Sequence, residues 1–223
     1  MLKAGIIGAT GYAGEELVRL LLSHPGVEIA GISSVSFEGQ DIRDIYPSLA
    51  RSTVSTLVSA DEVIASSQVV FASLPHGLSE EFAEKTLRCG GVFIDLGADF
   101  RLKDKTSYEK WYGKRYEKEE LHARSCYALP ELNRDTIKNY DIIGNPGCYP
   151  TSVALGLMPA LRRGLISTDD IIVDSKSGVT GAGRALTQNT HYPDTNEAFA
   201  AYKAGAHRHT PEIEQTLGDI AGD

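Results

Sequence analysis

Near the N-terminus an apolar run, KAGIIGA (3–9), ends in a glycine-rich turn and passes directly into a segment with helical periodicity. This junction constrains the fold more than any other feature of the chain. In YAGEELVRLLLSHPG (12–26) Leu17, Leu20 and Leu21 fall at i, i+3 and i+4, and Pro25-Gly26 ends the helix. VEIAGIS (27–33) then reads as a strand, and QVVFASL (68–74), GLSEEFAEKTLRCG (77–90) and GVFIDL (91–96) as strand, helix and strand. DIIGN (141–145) predicts a strand, TSVALGLMPALRRG (151–164) a helix, IIVDSKS (171–177) another strand, and a last helix begins near Thr210. A Tyr- and charge-rich stretch from Phe100 to Glu120 interrupts the alternation, with a short helix expected at 106–112 and a solvated loop around it. Strands alternating with helices predict a doubly wound parallel sheet, an α/β fold.

The turn itself, GATGYAG, spaces Gly8, Gly11 and Gly14 as GxxGxxG between the first strand and the first helix. Glycines suit this place because the backbone must approach a pyrophosphate closely and the helix must pack against the strand, while the helix N-terminus holds the phosphate. A site for NAD carries an acidic residue at the end of the second strand to bind the ribose 2′-hydroxyl. Here that place reads GISSVS (31–36), with Ser33 and Ser34 and no acid, which tolerates a 2′-phosphate but by itself does not decide between NADP and NAD.

Composition removes other classes. The chain of 223 residues holds 22 Lys+Arg against 30 Asp+Glu, a net charge of −8, with no block of like charge, so nucleic acid is excluded as the main partner. No apolar run approaches the roughly 18–20 residues of a membrane span, and no signal peptide precedes the first strand, so a cytoplasmic location is expected. Three cysteines without a CxxC pair do not make a secreted disulfide framework and leave at least one free thiol.

Of these, Cys148 in NPGCYPTSVALGL (145–157) lies just before a predicted helix, where the helix dipole and unpaired N–H groups favour a thiolate and stabilise an oxyanion. Cys89 ends an amphipathic helix and Cys126 lies between Ser125 and Tyr127, with no comparable activation. A nucleophilic Cys needs a proton-transfer partner, and His207 and His209 precede Pro211 and the last predicted helix. The same HxH pair with His191 lacks the Cys or acidic cluster that would complete a ligand set, so no metal is expected. Arg101, after the strand at 91–96, is a candidate for phosphate or carboxylate because guanidinium binds both bidentately, with a surface ion pair as the alternative.

GATGYAG (8–14), SLPHG (73–77), DLGADFRL (95–102), YALPELNR (127–134), GNPGCYPTS (144–152), KSGVTGAGR (176–184) and AYKAGAHRHTPEIEQ (201–215) occur in this order along the chain. Together they resemble the N-acetyl-γ-glutamyl-phosphate reductases of arginine biosynthesis, relatives of aspartate-semialdehyde dehydrogenase. The resemblance implies a Rossmann domain over 1–147 and the start of an α+β catalytic and dimerisation domain over 148–223. It implies reduction of an acyl phosphate by NADPH with release of inorganic phosphate, and a homo-oligomer, dimer or tetramer. Carried onto this sequence, Cys148 is the nucleophile and His209 the acid/base, with His207 as the alternative for that role. Cofactor contacts fall on Gly8, Thr10, Gly11, Tyr12, Ala13 and Gly14, on Ser33, Ser34 and Pro75, and on Ser177, Gly178 and Gly181. Substrate contacts fall on Arg101, Asn145, Ser152, Arg184 and His207. Family members often carry Arg shortly after the Ser-Ser pair, where this chain has Val35, and they are longer, so residues beyond 223 are expected to complete the second domain's sheet.

The acyl chain stays open, since an α-aminoadipyl phosphate uses identical chemistry. A short-chain reductase or sugar-nucleotide epimerase needs Tyr and Lys four residues apart, and no tyrosine here has Lys at i+4. A non-catalytic NADP-binding module would keep the turn without needing Cys148 and the HxH pair.

Overall fold

The computed structural model describes residues 1–222, which divide into two compact units, Met1–Pro146 and the residues from Gly147 onward. In the first unit β1 (Leu2–Ile7) leads through the glycine turn into α1 (Tyr12–Leu22), followed by β2 (Val27–Ser33). Then come α2 (Ile42–Ile45), β3 (Leu57–Val58), α3 (Ala60–Ser66), β4 (Val69–Ala72), α4 (Ser79–Arg88) and β5 (Val92–Asp95). The unit continues with α5 (Lys105–Tyr112), α6 (Glu119–Ala123), β6 (Ser125–Tyr127), α7 (Pro130–Ile137) and β7 (Ile142–Gly144). Within the sheet all strand pairings are parallel, in the order β3-β2-β1-β4-β5-β7-β6.

The strands bury both faces, which is why they read as short continuous apolar runs. Successive side chains of a strand point to opposite faces. Ile6 packs with Val18 and Leu21 of α1 and with Ile32, whereas Ile7 packs with Val63 of α3, Ala83 of α4, Phe93 and Ile142. The sheet is therefore covered on both sides, and its order reverses between β1 and β4. Ligands of open α/β sheets bind beyond the carboxyl ends of the strands at such a reversal.

The stretch 100–120 is more than the solvated loop expected of it. Tyr108 and Tyr116 are buried with Leu102 in a small core of their own, their rings 4.6 Å apart. Their hydroxyls are satisfied by Asp99 Oδ1 (2.7 Å) and Leu102 O (2.6 Å). Aromatic rings with a polar tip can build a core without an aliphatic period, so the pattern was invisible to periodicity.

In the second unit α8 (Cys148–Leu161) packs against α10 (Thr210–Ala221), with the short α9 (Tyr192–Thr195) between them in sequence. The strand expected at 171–177 is not formed; those residues lie in irregular, largely exposed chain. A strand's N–H and C=O groups need a neighbouring strand, and among the described residues of this unit none is present.

Candidate active site

In the first unit the glycine turn is fixed by its own atoms. Gly8 has φ +84, and a Cβ there would lie 2.3 Å from Ser73 O, at the end of β4. A Cβ on Gly14 would lie 2.1 Å from Gly8 O, so no side chain is compatible with this packing of α1. Gly11 differs: the nearest atom to a Cβ would be Gly8 O at 3.6 Å. It is the N-cap of α1 and makes no side-chain cap. Ser or Asp would cap this helix better. A glycine there leaves the first N–H groups of α1, at Tyr12, Ala13 and Gly14, open to a bound anion, and this opening is what a pyrophosphate requires.

The turn is tied to the end of β2. Gly8 N–H and Ala9 N–H both donate to Ser33 O, at 3.0 and 2.9 Å. The buried hydroxyls of Thr10 and Ser34 are 2.6 Å apart, and Tyr46 donates its hydroxyl to Thr10 O at 2.9 Å. Val35 is 89% exposed beside them. Pro75 is exposed on the segment after β4, whose Ser73 N–H donates to Ile7 O at 2.8 Å. The turn and the ends of β2 and β4 thus meet at the reversal of the sheet.

Arg101 lies after β5 and anchors two backbone segments. It is only 8% exposed, with Nε donating to Asn145 O (2.8 Å) and Nη2 to Leu96 O (2.8 Å). A buried guanidinium on backbone carbonyls fixes the segments after β5 and β7. Asn145 is half-buried and donates its N–H to Asp95 O at 2.8 Å. Beneath it lies a carboxylate pair that sequence reasoning missed. Asp95, 0% exposed, accepts from Ser79 Oγ (2.7 Å) and Gly97 N–H (2.9 Å), while Asp99 accepts from Gly77 N–H, Tyr108 and Ser79 N–H. Burial, and next the charge of Asp99, push the Asp95 carboxyl up to about 6.

In the second unit α8 starts earlier than expected, at Cys148 rather than 151, so the exposed thiol stands in the first turn instead of just before it. Gly147 is the N-cap, and Pro150 is no obstacle there because the first-turn N–H groups have no intrahelical acceptor. Thr151 Oγ1 donates to Gly147 O (2.9 Å), and Ser152 Oγ, exposed, donates to Tyr149 O (2.9 Å). A negative charge on the sulfur meets the positive end of the helix dipole.

Around this helix start the structure gathers an aromatic and histidine cluster. Tyr149 lies edge-on to His207 and His209, with ring centroids 5.2 and 6.0 Å away, and the two imidazoles are 4.8 Å apart. Tyr202 donates its hydroxyl to Tyr149 Oη at 2.8 Å and sits 3.4 Å from His207 Nε2. Loss of surrounding water, the bond to Tyr149, and the charges of Tyr149 and Cys148 push the Tyr202 hydroxyl up to about 12. Burial, then Lys203 and Arg208, hold His207 below its ordinary value. Glu212 of α10, 0% exposed, accepts Gly147 N–H at 2.8 Å and so ties α10 to the N-cap of the Cys148 helix. Tyr149, Tyr202 and Glu212 escaped sequence reasoning, although all three lie within five residues of Cys148 or the HxH pair. Ser177, Gly178 and Gly181 form an exposed turn of their own, Ser177 Oγ donating to Gly178 O (3.0 Å) and Gly181 N–H to the same oxygen (3.1 Å); Arg184 follows it, also exposed.

Comparison with known proteins follows the same division. Residues 3–140 match the model of the semialdehyde dehydrogenase NAD-binding domain. The chain belongs to the semialdehyde dehydrogenase family. Residues 148–223 match that family's dimerisation domain. Over its full length the chain is 60% identical to the N-acetyl-gamma-glutamyl-phosphate reductase of Clostridium beijerinckii and 54% identical to that of Brachyspira hyodysenteriae. It covers 65% of each, so it spans about two-thirds of the length of these curated relatives. Among solved structures, aspartate semialdehyde dehydrogenase II of Vibrio cholerae is similar over 70% of this chain and 45% of its own, at 23% identity and a TM-score of 0.51. The Candida albicans enzyme solved with NADP is similar over 73% of this chain and 47% of its own, at 16% identity and a TM-score of 0.50. These two likenesses establish the shared fold. The family match makes the first unit a nicotinamide-dinucleotide-binding domain, as the turn predicted. Among the described residues no helix is long and apolar enough to cross a membrane.

Proposed function

We propose that this chain carries the cofactor-binding and nucleophile-bearing parts of an NADPH-dependent N-acetyl-γ-glutamyl-phosphate reductase. The observation that carries the reading is the exposed thiol of Cys148 in the first turn of α8, in the same unit as His207 and His209.

The Cys148 thiolate attacks the acyl phosphate at its carbonyl carbon; the carbon–oxygen bond to phosphate breaks, inorganic phosphate leaves with the electron pair, and a thioester remains on the sulfur. Bound NADPH supplies the hydride that reduces this thioester. The thiohemiacetal then left on Cys148 collapses to the aldehyde and the thiolate. His209 takes the thiol proton before attack and returns a proton to the oxyanion as charge develops there. N–H groups of the first turn of α8 stabilise that oxyanion. The open N-terminus of α1, beside Thr10, Tyr12 and Ala13, holds the pyrophosphate, and Ser33 and Ser34, with no acid beside them, accommodate a 2′-phosphate. Pro75, two residues past Ser73, contacts the cofactor, and Ser177, Gly178 and Gly181 offer backbone to the nicotinamide. Arg101, Asn145, Ser152, Arg184 and His207 bind and orient the substrate, and Arg101 also fixes Asn145 through its carbonyl. The dimerisation-domain match supports a homo-oligomer, and three free thiols suit a reducing, cytoplasmic setting.

The test is phosphate-dependent reduction of NADP by N-acetylglutamate semialdehyde, with the aminoadipate homologue as comparison substrate. Turnover that Cys148→Ser abolishes is expected, with the shorter substrate preferred. Dinucleotide binding without turnover would reduce the protein to a binding module.

A further inference from the structure

Within the HxH pair, the turn that starts α10 holds the His207 ring in a way that assigns its tautomer. The backbone N–H of His209 donates to His207 Nδ1 at 3.1 Å, and Thr210 N–H donates to His207 O at 3.0 Å. The turn that starts α10 therefore points an amide proton at one nitrogen of the His207 ring. A nitrogen that accepts from an amide keeps its lone pair, so in the neutral ring the proton resides on Nε2. Nε2 faces the Tyr202 hydroxyl at 3.4 Å, and that hydroxyl spends its own proton on Tyr149 Oη at 2.8 Å, leaving lone pairs for Nε2–H. At 3.4 Å this contact is longer than an ordinary N–H···O bond, so Nε2–H is aimed but only loosely engaged.

The surroundings also oppose a second proton on this ring. Lys203 and Arg208 act on it with positive charge, and the rings of His209, Tyr202 and Tyr149 lie against it. Adding a proton to Nδ1 would set it against the His209 N–H and break that bond.

We propose that His207 serves the reaction as a neutral, fixed hydrogen-bond donor through Nε2–H, aimed by Tyr202, and that proton transfer belongs to His209 alone. This rests on the enzyme reading above and assigns the member of the pair that the sequence left open. A neutral imidazole can polarise a carbonyl or hold an oxyanion without being consumed as an acid. Tyr202 is then a positioning residue.

Two measurements test it. Long-range proton–nitrogen NMR on histidine-labelled protein, with His207 assigned by its loss in His207→Gln, should show Nε2 protonated and Nδ1 bare from about pH 8 down through the ordinary histidine range. In turnover, His207→Ala should lower kcat by about a hundredfold, the cost of one oxyanion donor. His207→Gln, whose amide restores a donor, should recover at least tenfold of that and keep the acid limb of the pH profile in place. Tyr202→Phe should lower kcat severalfold, again with the limb unmoved. A His207 that titrates together with the limb, an Nδ1–H tautomer, or a limb that vanishes in His207→Gln overturns the assignment. If no variant and no wild-type protein turns over acyl phosphate, the enzyme reading fails, while the NMR tautomer still decides whether His207 is a neutral Nε2 donor.

Discussion

Asp95→Asn should stabilise the first unit, and by an amount that grows with pH. The wild-type carboxyl sits at the end of β5, 0% exposed; its Oδ1 takes Ser79 Oγ–H and Gly97 N–H, and its Oδ2 has no hydrogen-bond partner among the described residues. Burial and the neighbouring Asp99 push it up to about 6, against the pull of Ser79, Gly97 and Arg101. A folded-state value above the unfolded one means that the native protein binds this proton more tightly than the unfolded chain does. The resulting penalty is absent well below the unfolded value near 4, grows as pH rises towards about 6, and is constant above it. The shift of roughly two units corresponds to about 3 kcal/mol at pH 8, of which only about 1 kcal/mol is present at pH 4.5. Asparagine keeps the Oδ1 acceptor, and its amide stands where the protonated Oδ2 stands, so the difference between the two proteins isolates the charge. Urea unfolding followed through the single tryptophan, Trp111 of α5, reports on this unit. With a urea m-value of about 2 kcal/mol per molar, the midpoint of the variant should exceed wild type by about 1.5 M at pH 8 and by about 0.5 M at pH 4.5. A difference that does not change with pH, or a variant less stable than wild type at pH 8, refutes the reasoning.

Three further outcomes are expected. Iodoacetamide at neutral pH should label Cys148 before Cys89, and both before Cys126, whose thiol burial pushes up; peptide mass spectrometry gives the order, and faster labelling of either other cysteine would count against the nucleophile. Gly11→Ala should fold with a stability within about 1 kcal/mol of wild type yet bind NADPH at least tenfold more weakly, whereas Gly14→Ala, 2.1 Å from Gly8 O, should lose several kcal/mol of stability of the order seen for overpacked sites. Circular dichroism melts together with a cofactor titration separate the two, and equal behaviour would mean that the opening at Gly11 serves no ligand. NADPH should be preferred over NADH, and Ser34→Asp should shift kcat/KM towards NADH by placing a carboxylate where a 2′-phosphate would lie; equal use of both cofactors by the wild type would remove that reading.

The alternation of strands and helices in the first unit was legible because each central strand is a short apolar run bounded by turn residues. Its edges were not. β3 has two residues and β6 three, too short for any period to register, and they exist through pairing with β2 and β7. IIVDSKS shows the converse, a good strand sequence that stays irregular where, among the described residues of its unit, there is no partner strand. The glycine turn and Cys148 could be read because each lies on a local junction that has its own chemistry. The anchoring of Arg101 could not be read, since residue type says that guanidinium suits an anion but not that the carbonyls of Leu96 and Asn145 also accept from it. Tyr202 and Glu212 act through contacts made across the packing of the second unit, which spacing along the chain does not encode.

One carbonyl, Ser33 O, takes two amide protons from the glycine turn, and the Ser34 side chain takes hold of Thr10 in the same turn. The part of the site that would read the ribose and the part that would grip the pyrophosphate therefore move as one piece. Retuning the cofactor by substitutions at 33–36 alone will drag the phosphate grip with it, so a successful exchange of cofactor should require compensating changes at residues 8–11, and a library confined to either segment should yield weaker binders for both dinucleotides.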